Sequence, residues 1–157
     1  METKNGKLSL LLAIGLVVVF MAGCDKVDVK VTKGEGYIRY EGTNYPLNSL
    51  TIITTQDEGI SLHDAVMTDI ENANNVFSFL IKDEKASLSA GTYPIVVQGG
   101  NTARYKLKGL SENSLEGTLT IEITKDVYSF NFTGNTAVDD QNPEAKAVMA
   151  TYKGKKK

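Results

Sequence analysis

The residues able to do chemistry in this chain are few and scattered. His63 is the single histidine and stands beside Asp64, the one place where an imidazole and a carboxylate are neighbours in sequence. A nucleophilic triad also needs a positioned hydroxyl or thiol and an oxyanion site. No Gly-x-Ser-x-Gly segment is present, so His63 is read as a solvated loop histidine. Asp139, Asp140 and Glu144 gather hard oxygens suited in type to Ca²⁺. They lack the alternating ligands and central glycine of an EF-hand loop, and an acidic turn is the simpler reading. Glycoside hydrolysis needs only two carboxylates, and the body offers many, mostly in expected turns. The chain has no Trp to stack against a sugar, although Tyr37, Tyr40, Tyr45, Tyr93, Tyr105 and Tyr128 are possible substitutes. No catalytic residue is assigned, and a non-enzymatic protein is expected.

Composition narrows the classes further. A chain of 157 residues allows one folded domain, and 41% hydrophobic with 23% charged residues is ordinary for one. A net charge of −2 gives no basic field, so nucleic acid is not an expected partner. One cysteine excludes an intramolecular disulfide framework, and one histidine excludes a multi-histidine metal site within a single chain.

The lone cysteine has a telling context. Lys4 and Lys7 precede an uncharged run from Leu8 to Gly23, too short for a comfortable membrane span of ~20 apolar residues. Lysines, a short apolar stretch and a small-residue end mark a cleaved secretory signal. Its end, Met21-Ala22-Gly23-Cys24, resembles the lipobox of bacterial lipoproteins, with Met21 where Leu is commoner. The resemblance implies cleavage between Gly23 and Cys24, with lipid on the Cys24 thiol and the new amino terminus. It thus implies a covalent lipid on Cys24 and a protein moored to a bacterial cell envelope. No cofactor beyond that lipid is expected, with Ca²⁺ the minor alternative. Two or more acyl chains make such a mooring stable where one is marginal.

After the cut, residues 24–35 read as the lipidated cysteine and a tether of alternating charge and valine, which also permits a first edge strand. Asp25 resembles an inner-membrane retention signal of enteric bacteria. Acidic residues near the cysteine equally resemble a surface-export signal of Bacteroidota. Residues 36–152 form the expected β-domain, with eight basic and fifteen acidic residues. Residues 153–157 make a basic tail, read as solvated, with attraction to anionic headgroups as the sharper option.

The elements that must position any site are strands. From Gly36 onward apolar residues recur mostly with period two, punctuated by Gly, Asn and Asp. Over 118–133, a two-residue turn at Lys125-Asp126 pairs Ile123 with Tyr128, Ile121 with Phe130 and Leu119 with Phe132. The same register pairs Glu122 with Ser129, Thr120 with Asn131 and Thr118 with Thr133. A one-residue slip would mismatch every pair. Ala103, Tyr105 and Leu107 share one face of another strand, as do Phe77, Phe79 and Ile81 of a third. Residues 50–55, 93–98 and 148–152 add short strands, while 42–47 and 91–95 read as strand entries. Ser61-Leu-His-Asp64 also reads as a capping box opening one short helix near 61–72. A strand followed by a loop is preferred there, because the neighbours are all β.

The expected fold is therefore all-β, an antiparallel β-sandwich or small meander barrel of about eight to ten short strands. The lipobox, the Gly-Thr-Tyr strand entry and the Asp-Asp…Tyr-Lys-Gly segment are similar to small β-rich lipoproteins of Bacteroidota. The expected function is a lipid-anchored binding or interaction module for an envelope protein or glycan. Alternatives are a carrier of a small apolar ligand in a barrel and an envelope glycan hydrolase.

Overall fold

The computed structural model describes residues 28–140 and 143–156, so Gly23, Cys24 and the signal segment lie outside the described residues. The described residues contain no helix and form nine strands. In chain order these are β1 (Asp28–Tyr40), β2 (Thr43–Asp57), β3 (Ile60–Thr68), β4 (Val76–Asp83) and β5 (Gly91–Ile95), then β6 (Thr102–Lys106), β7 (Asn113–Thr124), β8 (Val127–Thr136) and β9 (Ala147–Lys156). All pairings are antiparallel.

Eight strands close a ring in the order β6-β4-β3-β2-β1-β9-β8-β7, and β5 is an extra strand on β7. Closure removes the free edges that would distinguish a sandwich. Strand β8 occupies one edge of β7 from Leu115 to Thr124. The other edge is shared, with β6 paired at Asn113–Leu115 and β5 at Gly117–Ile121. Between β5 and β6 the chain loops out, and the Val96 N–H donates to the Asn101 carbonyl at 2.9 Å to pinch the loop shut.

The β7–β8 hairpin has the register expected from its polarity pattern, Thr118↔Thr133 through Ile123↔Tyr128. Lys125 opens its turn with a left-handed φ of 55°. The hairpins after β1 and β2 turn on Glu41-Gly42 and Glu58-Gly59, with both residues of each at positive φ, as a two-residue turn matching the strand twist requires. Near the far end of the hairpin, Gly117 faces Gly134. A side chain on Gly134 would run into the Glu116 carbonyl, so the two strands need glycine to approach this closely.

Alternation along each strand sends one face inward. Ile38, Leu50, Ile52, Phe77, Phe79, Ile81, Leu119, Ile121, Phe130, Phe132 and Tyr152 are all at most 2% exposed. Rings from facing walls meet in the middle. Tyr40 of β1 and Tyr105 of β6, four strands apart either way around the ring, have centroids 5.5 Å apart. Phe79 reaches Phe130 at 5.2 Å and Phe77 reaches Phe132 at 5.5 Å. An eight-strand barrel is just wide enough for side chains to fill it, and this one is filled with aromatic rings.

The strand preferred from Ile60 is present in place of the helix alternative, and two other expectations need correction. Residues 60–68 are strand β3 and no helix forms at 61–72, because Ser61, His63, Ala65 and Met67 alternate inward at period two. The stretch read as a tether joins the barrel from Asp28, where β1 pairs with β2 on one side and, from Thr32, with β9 on the other. From Thr32 onward it is therefore an interior strand, while Asp28–Val31 pair on the β2 side alone among the described residues. The basic tail is ordered as the end of β9 as far as Lys156, since Lys155 and Lys156 pair with Lys33 and Thr32.

Candidate functional site

Strand direction sorts the connections between two ends. The loops after β3 (69–75), β6 (107–112) and β8 (137–146), with the Glu41-Gly42 turn, share one end, called distal below. The start of β1, the end of β9 and the turns at 58–59 and 125–126 share the other, called proximal, with the β4–β5 loop at 84–90.

At the proximal end polar groups face inward. His63 is fully buried on β3, contrary to the loop position expected for it. Its sequence neighbour Asp64 points the other way, to the outer face, because adjacent strand residues alternate. There Asp64 is flanked in the ladder by Ile53 and Leu80, and desolvation raises its carboxyl above the usual range. The carboxylate that meets His63 is Asp83, at 3.1 Å from Nε2, while the Thr54 hydroxyl lies 2.9 Å from Nδ1. A neutral imidazole satisfies both, donating its Nε2–H to Asp83 and accepting the Thr54 O–H at Nδ1. Asp83 also accepts the Lys85 N–H at 2.7 Å and the Ser89 hydroxyl at 3.5 Å. The Tyr93 hydroxyl then donates to the Ser89 carbonyl at 3.0 Å.

Hydroxyl, imidazole and carboxylate are the parts used in acyl transfer. Here Thr54 is 6% exposed and His63 0%, so both are sealed inside the wall. The geometric role of this chain is to tie β2, β3 and β4 to the loop and strand that follow. Sequence polarity pointed the wrong way, since Ile60, Leu62 and Val66 look like the core face of β3. They face outward, with Ile60 51% exposed.

The distal end shows the reverse arrangement, with apolar tips outside and polar braces beneath. Ile70 and Val138 are 64% and 61% exposed, and Leu110 is also exposed. Beneath Ile70, buried Asp69 accepts the Asn48 side-chain amide at 3.0 Å and the Glu71 N–H at 3.1 Å. Asn48 in turn accepts the Ile70 N–H at 2.7 Å. Buried Asn75 accepts the Asp69 N–H on its carbonyl and the Lys108 N–H on its side chain, joining two distal loops. Below this rim the buried Tyr105 hydroxyl makes no hydrogen bond among the described residues. Burial raises its pKa, with the nearby Tyr40 adding to the rise.

Two grooves lie on the outer wall toward the proximal end. One, of about 530 Å³, is lined by Glu122, Lys125, Asp126, Lys153 and Lys155 among others. The second, of about 540 Å³, adjoins it through Ser129 and Lys153 and includes Tyr37 and Asn131. Asp139, Asp140 and Glu144 are exposed on the β8–β9 loop. Among the described residues no three His, Cys, Asp or Glu side chains gather as a metal site.

Comparison with known proteins finds no family model, no curated protein and no solved structure that matches this chain.

Proposed function

We propose that the chain is a lipid-anchored protein of a bacterial envelope whose barrel is a non-enzymatic interaction module, engaging a protein partner through its distal loops. The lipobox-like Met21-Ala22-Gly23-Cys24 supports the anchor. The filled lumen favours an outside surface, because a carried ligand would have to displace rings that already meet across the barrel.

One observation carries the choice of end. Ile70 stands 64% exposed on a loop held by hydrogen bonds of buried Asp69 and half-buried Asn48. Burying a carboxylate is costly unless it is paired. Here that pairing holds an apolar side chain out in water, an arrangement suited to display. Val138 and Leu110 extend the apolar display to two further loops.

A photo-crosslinking residue at position 70 or 138, in cells of the native host, tests this. A discrete adduct to one partner is expected, absent when the same residue replaces Thr133 on the side wall. In a Cys24→Ser background the chain stays uncut and the adduct is lost. Equal crosslinking at 70 and 133 would overturn the distal surface, and normal processing of Cys24→Ser would overturn the anchor.

A further inference from the structure

We infer that the proximal ends of β1 and β9 form a basic edge that seats the barrel against anionic lipid headgroups. The inference rests on the reading of Cys24 as the acylated residue. Lys33 and Lys155 are direct cross-strand partners, and Lys153 stands two places along β9. All three are exposed. Like charges placed directly opposite on one sheet face repel each other, and an anion between them relieves that cost. Lys125 joins Lys153 and Lys155 in the adjoining groove, and Lys156 and Lys157 follow in the chain. The carboxylates nearby are Glu35, opposite Lys153, Glu122 and Asp126 in the groove, and Asp28 at the start of β1 in sequence. Lysines therefore outnumber carboxylates along this edge.

Position selects a membrane as the occupant over a free anion. Asp28, the first residue of β1, lies four positions after Cys24. Fully extended, that link spans about 14 Å. An acylated Cys24 sits at the bilayer interface, so this end of the barrel is confined beside the headgroups whatever the tether does. The other half of the same end mixes exposed Glu58 and Glu84 with exposed Lys82 and Lys85. An anionic surface is therefore drawn to the β1–β9 side more than to that mixed half, and the distal loops point away.

The test uses the full processed, acylated chain in vesicles of phosphatidylcholine, with or without about one-third phosphatidylglycerol. Flotation with neutral vesicles reports the anchor. Amine labelling followed by mass spectrometry reports the edge, with exposed Lys106 and Lys108 as internal references. A basic residue near an anionic surface gains ~1 kcal/mol, roughly fivefold in occupancy. Labelling of Lys153 and Lys155 is therefore expected to slow about fivefold on anionic vesicles, with Lys106 and Lys108 unchanged, and to recover in high salt. Lys33→Gln is expected to reduce that protection. Equal labelling on both vesicles overturns the edge, as does equal protection by inorganic phosphate on neutral vesicles, which would mark a free-anion site. A chain that fails to float with neutral vesicles overturns the anchor itself, and with it the edge.

Discussion

The β7–β8 hairpin and the seam between β4 and β5 close the barrel wall by different means. Along the hairpin, ten residue pairs run without interruption from Leu115↔Thr136 to Thr124↔Val127. Phe130 and Phe132 hang from it into the lumen, and the backbone ladder does the joining. At the seam, β4 pairs with β6 only as far as Leu80, and no ladder joins β4 to β5 among the described residues. The Lys82 N–H reaches the Asn101 side chain instead, at 3.0 Å. Beyond it the hydrogen-bonded line Thr54–His63–Asp83–Ser89–Tyr93 crosses the gap, its last link made to the Ser89 carbonyl, and Leu88 of the same loop is buried. A barrel wall thus stays shut without a ladder where buried polar groups satisfy one another. Its cohesion there rests on a few specific atoms.

Substitutions separate the two closures. Phe130→Ala removes a ring packed against Phe79, Tyr128 and Tyr152. Deleting a buried phenylalanine ring costs ~3–5 kcal/mol, read as a lowered urea midpoint with the whole barrel unfolding together. Asp83→Ala leaves the buried His63 Nε2–H without an acceptor, a loss of about 1–3 kcal/mol. Hydrogen exchange should quicken over residues 84–95 and stay slow along 118–133, and uniform acceleration would show that the seam is no separate unit. Tyr93→Phe gives the smallest effect. Burial, and after it the Asp83 charge, raise the Tyr93 hydroxyl's pKa, with the Ser89 side chain opposing them. A raised folded value means stability is intact below the unfolded tyrosine pKa of ~10 and is lost as pH rises through the folded value. Replacing Tyr93 should flatten that alkaline decline slightly, measured by thermal melts on either side of pH ~10.

The same contrast explains what the sequence made legible. The hairpin was readable because both faces alternate cleanly and each cross-strand pair matches in polarity. Ala103, Tyr105 and Leu107 were assigned inward for the same reason, and they are buried. Strand β3 was recognisable as a strand but not in its phase, since its outward Ile60, Leu62 and Val66 are more apolar than its inward Ser61, His63, Ala65 and Met67. His63 meets an acid 20 residues away, and no local spacing announces that pairing. The split partner of β7 was equally hidden, because residues 93–98 read as one strand while the chain leaves the ladder at Ile95. Exposure of Ile70 follows from the Asn48–Asp69 contact, which spans 21 residues and has no sequence signature.

Strand β9 lies between β8 and β1, so the last described strand pairs with the first, Tyr40 meeting Val148 and Thr32 meeting Lys156. The ring therefore cannot close on a nascent chain until residues more than a hundred positions apart have both been made. Contacts of such separation slow folding. Until β9 arrives, β1 and β8 each show an unpaired edge, a template for pairing with another chain. Biogenesis of this protein thus carries a delay built into its topology, during which something must keep two open edges from meeting those of a neighbour.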